Sequence, residues 1–293
     1  MLPEVFLAPI SEYTNLPFRM LCQKHGAKAT IEPLVNVTAI CRRKDAIEDL
    51  DANKAEKHLG IQLFGTKPEE FGQAAKIIAK HHPFIKHFDI NCGCPATNIT
   101  SIGAGSKLLA KPALVKKIVA ATAKAGLPVS VKLRLLPSAA RTIAFCRAME
   151  AAGASFITVH GRTAAQGYSG TADWRMIKKI KTATTIPVIG NGDIISAAQG
   201  KQKLAECYCD AFMIGREAMK NPLVFENKTL DTLDKQKAML REYAAVCKKY
   251  GGTNLIDLRL KALAIFRGTE GCAALRARIS VIKSAEELLG IMS

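Results

Sequence analysis

A short loop rich in small residues places a cysteine where it can react with a ligand. The run NCGCP (residues 91–95) follows the apolar segment FDI and sets Cys94 just beyond the end of that segment. The side chain of Cys92, two residues earlier, is expected to point away into the packing. A thiol in the position of Cys94 can serve as a nucleophile or as a general acid. The residue types alone leave these two roles open.

Cationic and amide side chains lie within other apolar segments. Lys132 stands in the middle of VSVKLRL, and a cation buried there needs an anionic partner. That partner can be the electron-rich edge of a reduced flavin, or a carboxylate such as Glu32 or Asp89. Gln62, in IQLFG, can pair with the amide-like edge of the same flavin ring. These residues favour a flavin site and leave a structural ion pair open.

Glycines follow the last two apolar segments of the pattern, in VIGNGD and FMIGRE. Glycine lets the backbone come close to a ligand, so the N–H groups at Gly192 and Gly215 can point at phosphate oxygens. Arg216 can add a bidentate, charge-assisted contact. The two motifs predict a binding site for a phosphorylated ligand and do not identify it.

Eight short apolar segments alternate with longer amphipathic ones, and this alternation predicts the fold. The predicted strands are Val5–Ile10, Ala29–Leu34, Gly60–Phe64, Phe88–Asn91, Val129–Leu133, Phe156–His160, Val188–Asn191 and Ala211–Gly215. The helical segments between them include Pro68–His82, Pro112–Ala125, Ala139–Ala152 and Trp174–Thr182. Such units favour an α/β fold of the TIM (β/α)8 barrel type. An open doubly wound sheet is the alternative, but LAPISEYTN lacks the glycine-rich dinucleotide turn expected after its first strand.

The predicted fold brings the chemistry-bearing residues together. In a TIM barrel the active site forms at the carboxyl ends of the strands. The residues at or near these ends are Pro9, Ile10, Gln62, Asn91, Cys94, Lys132, Arg134, His160, Arg162, Asn191, Gly192, Asp193, Gly215 and Arg216. So many polar groups at one end of a barrel are difficult to explain by structural roles alone.

The alternation of strands and helices ends after Glu217. The remaining chain predicts helices only, at Asp234–Tyr250, Ile256–Phe266, Ala273–Ile282 and Ala285–Ile291. We therefore expect a catalytic barrel domain over residues 1–228 and a small helical domain over residues 229–293. The alternative is that these helices merely cover the barrel.

The charge and the cysteine content narrow the class of protein. The chain has 293 residues and a net charge of +17, which favours a polyanionic partner such as nucleic acid. Nine cysteines include no CxxC pair, so no structural metal site is expected. No apolar run is long enough for a membrane helix, and the N-terminus lacks the features of a signal peptide. We expect a cytoplasmic protein, with a monomer as the default.

Several motifs together resemble one known family. The run FDINCGCPATNITSIGAGSKLL is similar to the signature of tRNA-dihydrouridine synthases. LAPISEYTNLPFR, IQLFG, SVKLR, VHGRTAAQGYSGTADW, IPVIGNGDI and FMIGREAMKNPLVF resemble further motifs of that family, in the same order. HGRT also occurs in other flavin barrels, whereas GCP joined to GAGS is more specific. The C-terminal helices resemble the family's helical tRNA-binding domain more loosely.

The resemblance implies a cofactor, a substrate and roles for individual residues. FMN, reduced by NADPH, would transfer hydride to C6 of a flipped-out tRNA uridine, and Cys94 would protonate C5 as the general acid. The residues implied to hold FMN are Pro9, Ile10, Ser11, Gln62, Lys132, His160, Asn191, Gly192, Asp193, Gly215 and Arg216. Those implied to line the uridine pocket or its rim are Asn91, Arg134, His160, Arg162, Gln166 and Tyr168.

One turn departs from the pattern of the family. Its members usually have a small residue or glycine soon after the proline that ends the first strand. In this chain Ser11 and Glu12 follow Ile10 instead. The flavin contacts implied for this turn are therefore the least specific part of the resemblance.

Two other functions stay open. Another FMN-dependent barrel, such as a dihydroorotate dehydrogenase or an enoate reductase, would share the phosphate motif and the lysine. Such an enzyme acts on a small molecule and requires neither a net charge of +17 nor a separate helical domain. An RNA-binding barrel without catalysis is the second alternative, and the presence of both Cys94 and Lys132 argues against it.

Overall fold

The predicted strands form one parallel sheet that curls into a barrel. The computed structural model describes residues 2–43 and 45–292. The strands are β1 (Val5–Leu7), β2 (Thr30–Asn36), β3 (Leu59–Phe64), β4 (His87–Cys92), β5 (Val129–Leu135), β6 (Phe156–Thr163), β7 (Val188–Asn191) and β8 (Ala211–Ile214). Hydrogen-bonded neighbours follow the order β1-β8-β7-β6-β5-β4-β3-β2. Phe6 of β1 then bridges Ala29, next to β2, and closes the ring. The TIM barrel is confirmed.

Several strand ends differ from their predicted positions. β1 ends at Leu7, before its predicted end, because Pro9 has no N–H to donate to the sheet. β2 continues to Asn36 through a register shift near Leu34, whose φ of 49° lies in the left-handed region. β5 and β6 also run further than predicted. The longer strands extend the barrel on the side of their carboxyl ends, which we call the mouth.

Helices cover the outside of the barrel and connect successive strands. They are α1 (Leu16–Lys24), α2 (Val37–Arg42), α3 (Pro68–His81), α4 (Thr97–Thr100), α5 (Pro112–Ala123), α6 (Ala139–Ala151), α7 (Trp174–Ala183) and α8 (Ala197–Ala205). Side chains cap the N-termini where the chain returns from the mouth. Ser138 accepts an N–H bond at the start of α6, and Asp173 does so at the start of α7.

Only helical elements follow β8 in the described chain. They are α9 (Arg216–Lys220), a 3₁₀ helix at Pro222–Glu226, α10 (Leu233–Tyr250), α11 (Leu255–Ile265), α12 (Cys272–Val281) and α13 (Ala285–Gly290). The four predicted C-terminal helices are confirmed with small shifts at their ends. Among the described helices, none is both long enough and apolar enough to cross a membrane.

A buried ammonium joins the C-terminal helices to the barrel. Lys261 of α11 is fully buried, and its Nζ donates to the Tyr13 carbonyl and to Asp257 Oδ1, both at 2.7 Å. The Asp257 carboxylate also accepts from Tyr243 of α10 at 2.5 Å and from Asn15 at 3.0 Å. Because Tyr13 and Asn15 lie in the connection between β1 and α1, the C-terminal helices are tied to the mouth of the barrel.

The interior of the barrel changes from apolar to polar along its axis. The floor is an apolar cluster that includes Phe6, Ala29, Ile31, Phe156, Ile189 and Ala211. Towards the mouth, buried positions carry the polar residues Gln62, Asp89, Asn91, His160 and Asn191. Buried polar groups need hydrogen-bond partners, so the mouth is the end of the barrel at which a polar ligand can bind.

Candidate active site

A cavity of about 790 Å³ opens at the mouth of the barrel. This volume lies within the range that is usual for cofactor and substrate sites. The wall contains most of the residues predicted from the sequence, namely Pro9, Ile10, Ser11, Gln62, Asn91, Cys94, Lys132, Arg134, His160, Tyr168, Asn191, Gly192, Asp193, Gly215 and Arg216. Arg162 and Gln166 were expected at the uridine pocket, but they are not part of the wall.

A chain of hydrogen bonds runs from inside the barrel to the loop of Cys94. At its inner end, Ser130 donates to Asp89 Oδ1 at 2.5 Å, and Gln62 Nε2 donates to Asp89 Oδ2 at 2.7 Å. Asn91 Nδ2 then donates to Gln62 Oε1 at 2.7 Å. The Oδ1 atom of Asn91 accepts the backbone N–H of Cys94 at 2.9 Å. The amide groups of Gln62 and Asn91 are thus held by the protein itself.

The peptide of Cys94 is held from its carbonyl side as well. The N–H of Ser106 donates to the Cys94 carbonyl at 2.9 Å. Gly105 permits this contact, because its φ is 60° and a Cβ there would lie 2.5 Å from the Cys94 oxygen. The GAGS motif therefore fixes the loop that contains the GCP motif, which explains why the two motifs occur together. Cys92 is fully buried, and burial raises the pKa of its thiol.

Lys132 lies on β5 with little hydrogen bonding of its own. Its Nζ donates to Asn191 Oδ1 at 3.4 Å, and no ion pair to it is found in the described part of the chain. Neither carboxylate considered as a structural partner forms an ion pair with Lys132: Glu32 pairs with Arg19, and Asp89, which belongs to the hydrogen-bond chain above, acts on Lys132 through its charge only. Burial lowers the pKa of Lys132 to about 8, although the charge of Asp89 opposes this shift.

The imidazole of His160, on β6, also lacks a full set of partners. Its side chain is buried, and Nδ1 has no hydrogen-bond partner among the described residues. Burial, together with the positive charges of Lys132, Arg134 and Arg162, lowers the pKa of His160 to about 2. The ring is therefore neutral near pH 7. Leaving a buried polar atom unpaired costs about 1–3 kcal/mol, which a polar ligand can offset.

The ends of β7 and β8 form a corner that suits an anion. Gly192 has a φ of 123°, and a Cβ there would lie 2.7 Å from the Cβ of Ala172. Arg216 lies beside this corner, with one guanidinium nitrogen 2.9 Å from Asp193 Oδ1. Glycine backbone at Gly192 and Gly215 and one guanidinium group therefore border the same part of the cavity.

The guanidinium of Arg162 binds the protein rather than the cavity. Its two terminal nitrogens donate to the two carboxylate oxygens of Asp193 at 2.7 and 2.8 Å. It also donates to the carbonyls of Ser169 and Gly170. Burial would raise the pKa of Asp193, but the hydrogen bonds and charge of Arg162 lower it below its ordinary value. Because these partners occupy its donors, Arg162 lies behind the wall and joins the loop after β6 to Asp193.

The same loop folds over the rim of the cavity. Arg134 donates to the carbonyls of Thr163 and Gly167 at 3.1 and 2.8 Å. Gln166 Oε1 accepts the N–H of Thr163 at 2.8 Å, so this side chain closes the loop instead of facing the cavity. The loop thereby presents Tyr168 at the rim, with Arg134 5.7 Å from the ring centroid.

The turn after β1 brings Pro9, Ile10 and Ser11 to the cavity. The N–H of Ile10 donates to Thr14 Oγ1, and the N–H of Thr14 donates to the Ile10 carbonyl, both at 3.0 Å. Glu12 has a φ of 62°, in the left-handed region that favours glycine. The Ser11-Glu12 departure noted in the sequence therefore falls on the tightest part of this turn.

The wall also includes residues that were not predicted, among them Leu34, Thr97, Ile194, Ile195, Met213, Glu217 and Lys220. Lys220 lies one helical turn after Arg216, a spacing that signals a shared face. Asp89 lies behind the wall and two residues before Asn91, so the alternation of a strand was the signal for its inward direction. In the chain as described, His, Cys, Asp and Glu side chains form no group suited to a metal ion.

Fold, cavity and loop cysteine together define a TIM-barrel enzyme with its active site at the mouth. The dihydrouridine synthase (Dus) family matches residues 6–285 of this chain. An Aquifex aeolicus (strain VF5) protein named "Probable tRNA-dihydrouridine synthase" is 31% identical over 304 residues, covering 98% of this chain and 94% of that protein. tRNA-dihydrouridine synthase B of Xanthomonas campestris pv. campestris is 35% identical over 233 residues, covering 76% and 68%. The chain belongs to the dihydrouridine synthase family, oxidoreductases that reduce uridine in tRNA.

Solved structures with a similar backbone have the same barrel. A 2-naphthoyl-CoA reductase in complex with 2-naphthoyl-CoA matches with a TM-score of 0.57 at 10% identity, over 76% of this chain and 49% of that chain. Histamine dehydrogenase from Rhizobium sp. 4-9 matches with a TM-score of 0.55 at 11% identity, over 83% and 49%. This chain spans about half the length of these two proteins. At such identities the likeness concerns the fold alone.

Proposed function

We propose that this protein reduces the C5=C6 bond of specific tRNA uridines to dihydrouridine, with tightly bound FMN as cofactor and NADPH as the reductant. The observation that supports the flavin is the part of the wall formed by Lys132 and His160. Both residues border the cavity; Nζ of Lys132 makes one long hydrogen bond, and Nδ1 of His160 makes none among the described residues. The electron-rich edge of a reduced flavin carries hydrogen-bond acceptors for such donors, and an apolar ligand has none.

We propose partners in the wall for the ring edge and for the phosphate of FMN. Lys132 and His160 would bind the edge of the ring, and Arg216 would pair with the phosphate at the ends of β7 and β8. The other residues proposed to contact FMN are Pro9, Ile10, Ser11, Gln62, Asn191, Gly192, Asp193 and Gly215. Gln62 would meet the ring in a fixed orientation, because Asp89 and Asn91 hold its amide.

Cys94 is proposed to donate a proton to C5 of the uridine. When bound, reduced FMN supplies the hydride that adds to C6, and NADPH restores the reduced flavin. Asn91 holds the N–H of Cys94 and Ser106 holds its carbonyl, so the backbone that carries the thiol is fixed on both sides. Cys94 is partly exposed at the cavity, so its thiolate can recover a proton from solvent. The hydride and the proton account for the two hydrogen atoms that the product gains.

The rim of the cavity carries groups suited to RNA. The ring of Tyr168 is 61% exposed, and the guanidinium groups of Arg134 and Arg216 lie 5.7 and 4.4 Å from its centroid. Aromatic rings and guanidinium planes stack on unpaired bases. We propose that the uridine leaves its stack and passes Tyr168 to reach Cys94 and Asn91. The helical residues 229–293 and the net charge of +17 would hold the rest of the tRNA, while residues 1–228 carry the chemistry.

Flavin reoxidation under anaerobic conditions tests this function. Protein loaded with FMN is reduced by NADPH, separated from the remaining NADPH and NADP⁺, and mixed with tRNA that lacks dihydrouridine. We expect the absorbance of oxidised flavin to return with this tRNA and not with fully modified tRNA. Reoxidation by orotate or a small enone, without any by tRNA, would favour a small-molecule reductase. Protein that binds tRNA but retains no FMN would refute the proposed cofactor.

A further inference from the structure

Asp89 is fully buried inside the barrel and does not border the cavity. Taking a charge out of water costs several kcal/mol, so a carboxylate there needs partners that compensate. Burial raises the pKa of Asp89, while hydrogen bonds from Ser130 and Gln62 and the charge of Lys132 oppose that rise. The proposed function assigns this acid no contact with FMN or uridine, so its role lies in the groups that it holds.

The carboxylate sets the orientation of two amide groups in series. Gln62 donates from its NH2 group to Asp89 Oδ2, at 2.7 Å, and because the donor and the acceptor of an amide lie on opposite branches, its oxygen faces Asn91. Asn91 then gives its NH2 group to Gln62, at 2.7 Å, and keeps Oδ1 for the N–H of Cys94, at 2.9 Å. Reversing either amide would set two donors or two acceptors against each other.

We propose that Asp89 is a positioning residue for proton transfer by Cys94 and acts through Gln62 and Asn91. The inference rests on the proposed function, in which Cys94 protonates C5 of the uridine. Ser130 anchors the other carboxylate oxygen at 2.5 Å, so the chain starts in the packed interior of the barrel. It ends on the peptide that carries the reacting thiol. A position set this way does not depend on the ligand, because Asp89 has no contact with the cavity.

Two substitutions at Asp89 separate orientation from charge. Asp89→Leu removes both acceptors, so the amide of Gln62 is free to turn and Cys94 loses its fixed partner. Asp89→Asn removes the charge but keeps an acceptor, because its oxygen can face Gln62 while its NH2 group donates to Ser130 Oγ. We expect Asp89→Leu to slow reoxidation of the reduced flavin by tRNA about 10²-fold, the effect of roughly 1 Å of misplacement. Asp89→Asn should recover most of this rate.

The other half of the catalytic cycle is the internal reference for both variants. Reduction of the bound flavin by NADPH does not use Cys94. In Asp89→Leu and Asp89→Asn its rate should therefore fall far less than the rate of reoxidation by tRNA, even though Gln62, a proposed contact of the flavin ring, is held by Asp89. A variant that was merely unstable would lose both rates together. Val119→Ala on α5 supplies the matched destabilised control, because Val119 is fully buried and lies outside the hydrogen-bond chain.

A second readout needs neither flavin nor tRNA. In the apoprotein, alkylation of Cys94 by iodoacetamide can be followed by peptide mass spectrometry. We expect its rate to rise several-fold in Asp89→Leu, because the peptide is no longer held and the thiol is more accessible. Cys41 and Cys207 are partly or fully exposed and lie outside the chain, so their rates serve as internal references.

Unchanged reoxidation by tRNA together with unchanged alkylation of Cys94 in Asp89→Leu would overturn the proposal. Asp89→Asn as slow as Asp89→Leu would also overturn it, because charge and not orientation would then be the cause. If Asp89→Leu does not fold, Asp89→Ser gives the same comparison, because the shorter serine side chain does not bring its hydroxyl within reach of Gln62. Wild-type protein that tRNA never reoxidises would reject the proposed function instead, and the alkylation rates would still decide whether Asp89 holds Cys94.

Discussion

The two sides of the cavity differ in how their polar groups are satisfied. On the side of β3 and β4, Gln62 and Asn91 are held in a chain of hydrogen bonds of 2.7 Å that begins at Asp89. On the side of β5 and β6, Lys132 donates one bond of 3.4 Å, and Nδ1 of His160 has no partner among the described residues. The first side therefore fixes protein groups in place, and the second leaves donors of Lys132 for a ligand.

The difference shows that position in a cavity wall does not by itself assign a role to a polar residue. Folded proteins satisfy nearly all of their buried polar groups, so an unsatisfied group that borders a cavity is a candidate for ligand contact. An unpaired buried group away from the cavity carries no such meaning, as in the described chain for the ring of His87, which packs on Phe156 at the floor of the barrel. Arg162 illustrates the converse. It lies at the carboxyl end of β6, as a ligand-binding residue would, yet Asp193 and the loop carbonyls occupy its donors. Substitutions on the two sides should therefore have different consequences.

Replacing Cys94 should have the largest effect, because it removes the reacting group from the fixed side. We expect Cys94→Ala to lower dihydrouridine formation by about 10²- to 10⁴-fold, the usual contribution of a general acid. FMN affinity should stay at the wild-type value, since Lys132 and His160 are intact. Nucleoside chromatography of the reacted tRNA measures the product, with Cys41→Ala as the control. Near-normal turnover by Cys94→Ala would contradict its assignment as the acid.

Replacing Lys132 should act on the open side and weaken the cofactor. Lys132→Met keeps most of the length of the side chain and removes its charge. A hydrogen bond to a charged group contributes about 1.5–3 kcal/mol, so FMN affinity should fall roughly 10- to 100-fold. Fluorescence titration of the apoprotein measures this affinity, and Lys116→Met, exposed on α5, is the matched control. A Lys132→Met protein that purifies with a full complement of FMN would remove the main support for a flavin on this side.

The same lysine predicts how FMN binding depends on pH. Because the pKa of Lys132 is about 8, its charge is present below that pH and is lost above it. FMN affinity should be constant up to about pH 8 and then fall, by up to the loss seen in Lys132→Met. That variant should show no such fall, and a wild-type affinity that is level through this range would exclude a charged Lys132 as the partner.

The lowered pKa of Lys132 also has a consequence for the apoprotein. Between about pH 8 and the ordinary lysine pKa of 10.5, the unfolded chain binds more protons at this residue than the folded chain does. The contribution of Lys132 to the free energy of unfolding therefore increases with pH in this window. Chemical denaturation of the wild-type and Lys132→Met apoproteins at several pH values checks the sign of this dependence. The difference between their free energies of unfolding is expected to shrink as the pH rises through this window.

Replacing Arg162 should have the smallest effect on the ligand, because it lies behind the wall. Lysine lacks the planar fork that binds both oxygens of Asp193, so Arg162→Lys should loosen the loop after β6. We expect a loss of FMN affinity below about tenfold, with a larger rise in KM for tRNA. Arg175→Lys, exposed on α7, is the control. A loss of FMN as large as that of Lys132→Met would instead place Arg162 in direct contact with the ligand.

The strands were predictable from the sequence, because apolar runs bounded by glycine and proline are typical of buried parallel strands. The exact ends of the strands were less predictable. Pro9 ends the pairing of β1 early, and β6 continues to Thr163 because its register with β5 shifts after Arg134. Such shifts depend on how two strands meet, which a local pattern does not contain.

The wall residues were predictable for the same reason, but their partners were not. Gln62 and Asp89 meet because β3 and β4 pair in register at these residues. Arg162 and Asp193 are 31 residues apart and meet because the end of β6 lies beside the residues that follow β7. Both contacts follow from the closed barrel and not from nearby sequence. The division of the cavity into a fixed side and an open side therefore became visible only in three dimensions.

Nucleoside mass spectrometry of reacted tRNA decides whether this cavity reduces uridine. Transfer RNA without dihydrouridine is incubated with the protein, FMN and NADPH, digested to nucleosides and compared with a reaction of Cys94→Ala. We expect uridine to gain the mass of one hydride and one proton in the wild-type reaction, with little gain in the variant. A wild-type protein that binds FMN and oxidises NADPH but leaves every uridine unchanged would contradict this function and point to a different substrate.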